Sequence, residues 1–202
     1  AYLDKLHQEK IGCIYLGRLG HNLNFTIYLT KPIKSADLTG LKIRCSPTNI
    51  PFLKKLGANP VVIPPTDVYT ALERGVVDGY VFPAGLIRDW GWEKLTKYVV
   101  QPGFYNGANV VLINKKKWDA MPAGLQKLLV EAEDEAARFA KQRSMDLVKS
   151  EVEAFKKMGI QYIELPPAEA KKVTDAAYSS LWDIIIEKSP VHGPKLKQMV
   201  TK

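Results

Sequence analysis

This sequence predicts an α/β layered fold with a largely parallel sheet, on three observations. Short apolar runs rich in Val, Ile and Tyr alternate with stretches of helical period along the chain. Gly and Pro fall between them, where turns and helix ends are expected. One segment, Pro122 to Met158, keeps a helical period much longer than any other.

The elements follow in order. The first ten residues read as the end of a helix, with Leu3 and Leu6 on one side. Ile11 to Leu16 reads as a strand, Gly17, Gly20, His21 and Asn22 as a loop, and Phe25 to Leu29 as a second strand stopped by Lys31-Pro32. Ser35 to Leu38 is expected as a helical turn with Ser35 as its cap and Gly40 as its stop. Leu41 to Cys45 is a strand. Pro47 suits the first turn of a helix that runs to Leu56, and Gly57 suits its C-terminal cap. Pro60 to Ile63 is a short strand. Thr66 is expected to cap a helix from Asp67 to Arg74, closed by Gly75. Val76 to Phe82 reads as a strand interrupted at Asp78-Gly79, Pro83 to Asp89 as helical, and Tyr98 to Gln101 and Asn109 to Asn114 as strands. In the long helix, Leu125, Leu128, Leu129, Ala132, Ala136, Phe139, Ala140, Arg143, Leu147, Val152, Phe155 and Met158 follow a largely helical period and mark a mainly apolar stripe. At a rise of 1.5 Å per residue it would reach about 55 Å, longer than a small domain is wide. Ile160 to Glu164 is a further strand, Ala168 to Lys188 a last helix, and a tail with Pro and Gly follows.

Composition narrows the function. The 202 residues are 46% hydrophobic and 25% charged, as in ordinary globular proteins, with room for one large or two small domains. The chain does not begin with Met and shows no signal peptide, as expected of a processed or truncated chain. The net charge of +8 comes from 29 Lys and Arg against 21 Asp and Glu. The basic residues form short scattered clusters, such as Lys54-Lys55 and Lys115-Lys116-Lys117, without the aromatic-interleaved stripe of a nucleic-acid reader. Cys13 and Cys45 lie in apolar runs and read as buried free thiols, and no ligand spacing for a metal exists.

Enzyme signatures are missing: there is no GxSxG elbow, no P-loop and no HExxH, and Gly17-Arg-Leu-Gly20 lacks the third glycine of a dinucleotide loop. Helix-start and turn roles account for Asp67 and Asp78. No catalytic residue and no cofactor are assigned, and the chain reads as a non-enzyme. Arg44 stands out instead. It ends an apolar strand, and in open α/β sheets ligands gather beyond the carboxyl ends of strands. A guanidinium there fits a ligand carboxylate or a structural acid equally well. Aromatics crowd the stretch from Tyr80 to Tyr105, which suits an apolar acid and suits a core.

Four stretches carry a resemblance. They are Lys31-Pro-Ile-Lys-Ser-Ala-Asp-Leu-Thr-Gly-Leu-Lys-Ile-Arg44, then Leu56-Gly-Ala-Asn-Pro60, then Asp67-Val-Tyr-Thr-Ala-Leu-Glu-Arg-Gly-Val-Val-Asp-Gly79, and the run from Asn114 to Leu125 with Trp118 and Met121-Pro122 inside it. In this order the chain resembles the solute-binding proteins of TRAP (tripartite ATP-independent periplasmic) transporters, of the DctP type, over essentially its whole length.

The resemblance implies a two-lobe periplasmic-binding-protein fold with hinge strands and a long C-terminal helix. It implies residence in the periplasm, an organic-acid ligand, and delivery to small and large membrane subunits. It assigns residues 22–108 to the second lobe, 1–21 and 109–143 to the first lobe and hinge, and 144–202 to C-terminal helices packing mainly on the second lobe. The family's N-terminal segment, which supplies most of the first lobe, has no counterpart here. The first lobe is therefore expected to be incomplete and to associate with that segment or another chain. Arg44 takes the position of the family's carboxylate-gripping arginine. Phe82 stands where many members have asparagine, and Phe25 where a further arginine often sits. Phe104, Asn106 and Pro65 fall at expected cleft positions. These departures favour an apolar or aromatic monocarboxylate or a 2-oxo acid over a sugar acid. A ligand sensor for a signalling receptor, and a small α/β enzyme acting on an organic acid, are the alternatives.

Overall fold

The computed structural model describes residues 2–201, with the side chains of residues 20–22 outside the description. The chain divides into two compact units. One comprises residues 1–23 and 106–149, the other 24–105 and 150–202.

The second unit is built on strands in the order β3 (Asn59–Val62), β2 (Lys42–Cys45), β4 (Gly79–Pro83), β1 (Cys13–Leu29), β5 (Tyr98–Gln101) and β7 (Gln161–Glu164). The pairs β2–β3, β2–β4 and β5–β7 are parallel, as the alternating pattern predicts. The expectation of a largely parallel sheet needs correction at its centre, because β1 runs antiparallel to both β4 and β5. Helices α2 (Ile50–Lys55), α3 (Val68–Glu73), α6 (Pro167–Lys188) and α7 (Gly193–Val200) complete this unit. The last of these lies in the segment read as a tail.

Period-two alternation along the strands divides the core between the two faces of the sheet. Ile27, Leu29, Ile43, Cys45, Val81 and Val100 pack on one face with Phe52, Leu53 and Val173. Tyr28, Tyr80 and Val99 pack on the other with Val68, Trp92 and Phe155, and Phe82 lies against them. Two tyrosine hydroxyls buried on this second face are paired. The Tyr28 hydroxyl donates to Glu151 at 3.2 Å, and the Tyr80 hydroxyl bonds Thr96 at 2.7 Å. Burial holds the Glu151 carboxyl above its ordinary range, while the amides of Gly85 and Ile87 offset part of that effect.

Several local expectations give way to side-chain chemistry. Residues 17–22, read as a loop, belong to β1 as one strand of 17 residues. Gly17 leaves room there for the Glu133 carboxylate, which occupies the space of a Cβ. The turn expected over Ser35 to Leu38 is not helical. Asp37 accepts from the Thr39 amide at 2.9 Å and from the Thr39 hydroxyl at 2.6 Å, and these local bonds compete with helix formation. Thr66 spends its hydroxyl on Asp67 at 3.0 Å instead of capping α3. Helix α2 is preceded by a 3-10 turn, Pro47–Asn49, and the stretch read as helical before Asp89 contains only the 3-10 turn Arg88–Trp90.

The first unit holds α1 (Tyr2–Leu6), the first part of β1, β6 (Asn106–Asn114), α4 (Lys115–Asp119) and most of α5 (Ala123–Met158). The expected first helical residue, Ala1, lies outside the described residues. Strand β6 pairs with β1. The apolar stripe read on α5 is covered only in part. Leu128 is 58% and Phe139 72% exposed, whereas Phe155 at its C-terminal end is buried, and so are Glu133, Ser144 and Glu151 outside the stripe. On β6, Val110 and Leu112 are also exposed.

Candidate functional site

Arg44 stands on β2 one position from its end, in register with Val61 of β3 and Tyr80 of β4. Strand alternation directs it to the face of Tyr80 and Phe82, while Cys45 next to it faces the opposite core. The side chain is only 3% exposed. Its Nε donates to the Ile63 carbonyl at 2.8 Å. Its Cζ lies 5.7 Å from the ring centroid of Phe82 and 5.7 Å from that of Trp92, within cation–π range. Its Nη1 is buried and has no hydrogen-bond partner. Burial lowers the guanidinium's affinity for its proton, and it still stays charged because an arginine starts so far above neutrality.

Arg44 lines a cavity of about 310 Å³ with Ser46, Ile63, Pro64, Pro65 and Phe82. Besides the Arg44 guanidinium and the Ser46 hydroxyl, these walls offer mainly carbon. An unpaired buried donor is costly, so an anion that accepts from Nη1 would relieve that cost as well as supply charge. A larger groove, about 700 Å³, lies between Asp37, Lys55, Glu169 and Lys172. There Lys172 is paired with Glu169 at 2.6 Å and Lys55 with Asp183 at 2.9 Å, so two of its cations already have partners.

Three residues singled out in the sequence meet at the smaller cavity: Arg44, Phe82 and Pro65. Others lie elsewhere. Phe104 is 4% exposed and packs at 4.4 Å on Phe52 in the opposite core. Phe25 is half-buried against that same core, edge-on to Tyr105 at 6.2 Å. Asn106 is exposed at the start of β6, in the first unit. Sequence reasoning missed the Ile63 carbonyl, which no side-chain pattern can signal. It also missed Trp92 as a neighbour of Arg44, since Trp92 was one aromatic among seven in its stretch. Among the described residues, no group of three or more His, Cys, Asp or Glu is placed to hold a metal ion. No helix among them is long and apolar enough to cross a membrane.

The architecture is that of a solute-binding protein. Residues 2–188 match the family described as bacterial extracellular solute-binding protein, family 7 (DctP), and the chain belongs to that family of binding proteins, not enzymes. It is 29% identical over 169 residues to the 2,3-diketo-L-gulonate-binding periplasmic protein YiaO of Escherichia coli, covering 82% of this chain and 51% of that one. It is 32% identical over 114 residues to a monocarboxylate 2-oxoacid-binding periplasmic protein of Nostoc, covering 54% of this chain and 31% of that one. The crystal structure of a TRAP periplasmic solute-binding protein from Desulfovibrio salexigens, with bound orotic acid, superimposes with a TM-score of 0.83 at 25% identity. That match covers 98% of this chain and 64% of that one. The chain thus spans about half the length of YiaO and less than two-thirds of the solved structure.

Proposed function

We propose that this chain carries the ligand-gripping part of a TRAP-transporter receptor in the periplasm. In this reading it captures an organic monocarboxylate through Arg44 and hands it to small and large membrane subunits. The observation that carries the reading is Arg44 itself: a buried cation with an unpartnered Nη1, lining a small cavity whose walls are mainly apolar. The Ile63 carbonyl occupies the Nε position, so the acid is taken by the outer, Nη end of the fork.

The ligand's body is apolar or aromatic, and a 2-oxo acid fits. Ile63, Pro64, Pro65 and Phe82 bring no side-chain donor or acceptor to the cavity. A hydroxylated acid would bury unpaired hydroxyls there at about 1–3 kcal/mol each. Both relatives support a 2-oxo acid. The Nostoc protein is named for monocarboxylate 2-oxo acids, and the 2,3-diketo-L-gulonate in the name of YiaO is a 2-oxo monocarboxylate with a hydroxylated body. Phe82 favours a body without hydroxyls.

A thermal-shift panel tests the reading, because a ligand that binds only the folded state raises the melting temperature in proportion to ln(1 + [L]/Kd). Branched and aromatic 2-oxo acids and simple aromatic monocarboxylates are expected to give the largest rises. Sialic acid, glucuronate and succinate are expected to give the smallest. A largest rise with succinate or glucuronate would overturn the apolar assignment.

A further inference from the structure

We infer that Trp92, which is not among the residues lining the cavity, is the positioning residue of Arg44. Its indole face, together with Phe82 and the Ile63 carbonyl, fixes the guanidinium so that only its outer end is left to a ligand. The consequence for ligand binding rests on the acid-binding reading above; the positioning itself does not.

The argument begins with the chain. Gly91 turns the backbone at φ +70°, a conformation that favours glycine, and the 3-10 turn Trp92–Lys94 begins directly after it. Trp92 ends 1% exposed. It is held from several sides. Its carbonyl accepts from the Thr96 hydroxyl at 2.9 Å, and that hydroxyl also bonds the Tyr80 hydroxyl at 2.7 Å. Its ring meets Tyr80 edge-on at 5.0 Å and Phe82 edge-on at 4.8 Å. Tyr80 is in turn stacked on Tyr28 at 4.9 Å. An aromatic locked this way is a rigid surface, and a rigid surface orients what lies against it.

Arg44 needs such a surface. Among the described residues it forms no salt bridge, and only one of its nitrogens, Nε, has a hydrogen-bond partner. One hydrogen bond leaves the guanidinium plane free to rotate about that contact. Two ring faces, each 5.7 Å from Cζ, remove that freedom and also stabilise a cation that has lost its water. Neither ring carries a negative charge, so the cation stays unneutralised. A carboxylate would have asked for less packing but would itself have occupied the outer end of the fork. Aromatic support therefore positions Arg44 while leaving it able to accept an anion.

The test reads Arg44 directly, with no ligand needed. Nitrogen-15 NMR of the full chain should show one arginine Nε–H that exchanges slowly with water and is shifted upfield by the ring faces; its loss in Arg44→Lys assigns it. In Trp92→Leu this resonance should lose most of its shift and its protection, while backbone signals of α6 stay in place. In Trp92→Phe it should fall between the two. Phenylpyruvate affinity, by calorimetry, should drop about tenfold in Trp92→Leu and less in Trp92→Phe. An unchanged Arg44 resonance in Trp92→Leu would overturn the inference whatever the affinities do. If the leucine variant does not fold, the phenylalanine variant decides: a partial shift supports the inference and an unchanged resonance overturns it. A wild-type chain that binds no acid, yet loses the resonance in Trp92→Leu, supports the positioning while removing the acid-binding reading.

Discussion

Lysine in place of Arg44 is expected to weaken acid binding nearly as much as alanine does. In the proposed reading the guanidinium does three things at once: it donates from Nε to Ile63, lies against two ring faces, and offers its unpartnered Nη1 to the ligand. An ammonium is a compact point charge without the planar fork, and cannot hold all three geometries. Against walls this apolar, an acid that covers the guanidinium displaces its water and strengthens the charge-assisted bonds. Removing one partner of a buried ionic pair costs about 3–5 kcal/mol, roughly a hundredfold or more in affinity. Isothermal calorimetry with the best acid of the panel, on wild type, Arg44→Lys and Arg44→Ala, measures this. Affinity retained within a few-fold in Arg44→Ala would remove Arg44 from the site.

The second large effect concerns stability. Gly79 opens β4 and pairs with Leu29 of β1 and Ile43 of β2. A Cβ at Gly79 would run into the Tyr28 carbonyl oxygen, closer than van der Waals contact permits, and would lie 2.7 Å from Leu29 Cδ2. The leucine could turn away, but the carbonyl belongs to β1 and can recede only by spreading the β1–β4 ladder at the centre of the sheet. Gly79→Ala should therefore cost about 3 kcal/mol, lowering the melting temperature by roughly 6–12 °C. Gly75 is the control. It has open space around its Cβ position and a φ of +67°, so Gly75→Ala should cost only about 1 kcal/mol, from backbone strain alone. Equal losses at the two positions, by urea midpoint, would show that the close approach at Gly79 is not what makes it necessary.

What could be read in the sequence follows from how local each cause is. Strand β5 was placed to the residue, and β2, β3, β7 and α6 to within one, because apolar runs bounded by Gly and Pro are local signals. Arg44 at a strand end was legible for the same reason. The continuity of β1 was not. Gly17 and Gly20 look like turn residues until Glu133, more than a hundred positions away, is seen to fill the space beside Gly17. The α5 stripe is legible as a period and only in part as a buried face. Its leucines keep helical period, and period shows which residues share a face, not which face is covered. Burial falls also on Glu133, Ser144 and Glu151, where the helix meets β1 and the residues around Gly85. The support for Arg44 from Ile63 and Trp92 comes from a carbonyl and from the turn at Gly91, neither of which leaves a periodic trace.

Cys45 gives the region around Arg44 a built-in reporter. Its thiol is fully enclosed, and burial raises its pKa, so the native chain shields it from alkylating reagents both sterically and chemically. Cys13 is only half-buried, with its Sγ 3.5 Å from the Ile11 carbonyl, and is the faster of the two to label. With Cys13 replaced by serine, labelling at Cys45 reports opening of the core that β2 shares with Phe52, Leu53 and Val173. Arg44 is the adjacent residue on that strand, so an acid bound to it should slow the labelling clock by the factor with which it favours the closed core. The rate then reports occupancy of the cavity without any dye or tag in it, and a rate unchanged by a saturating acid would uncouple β2 from the ligand.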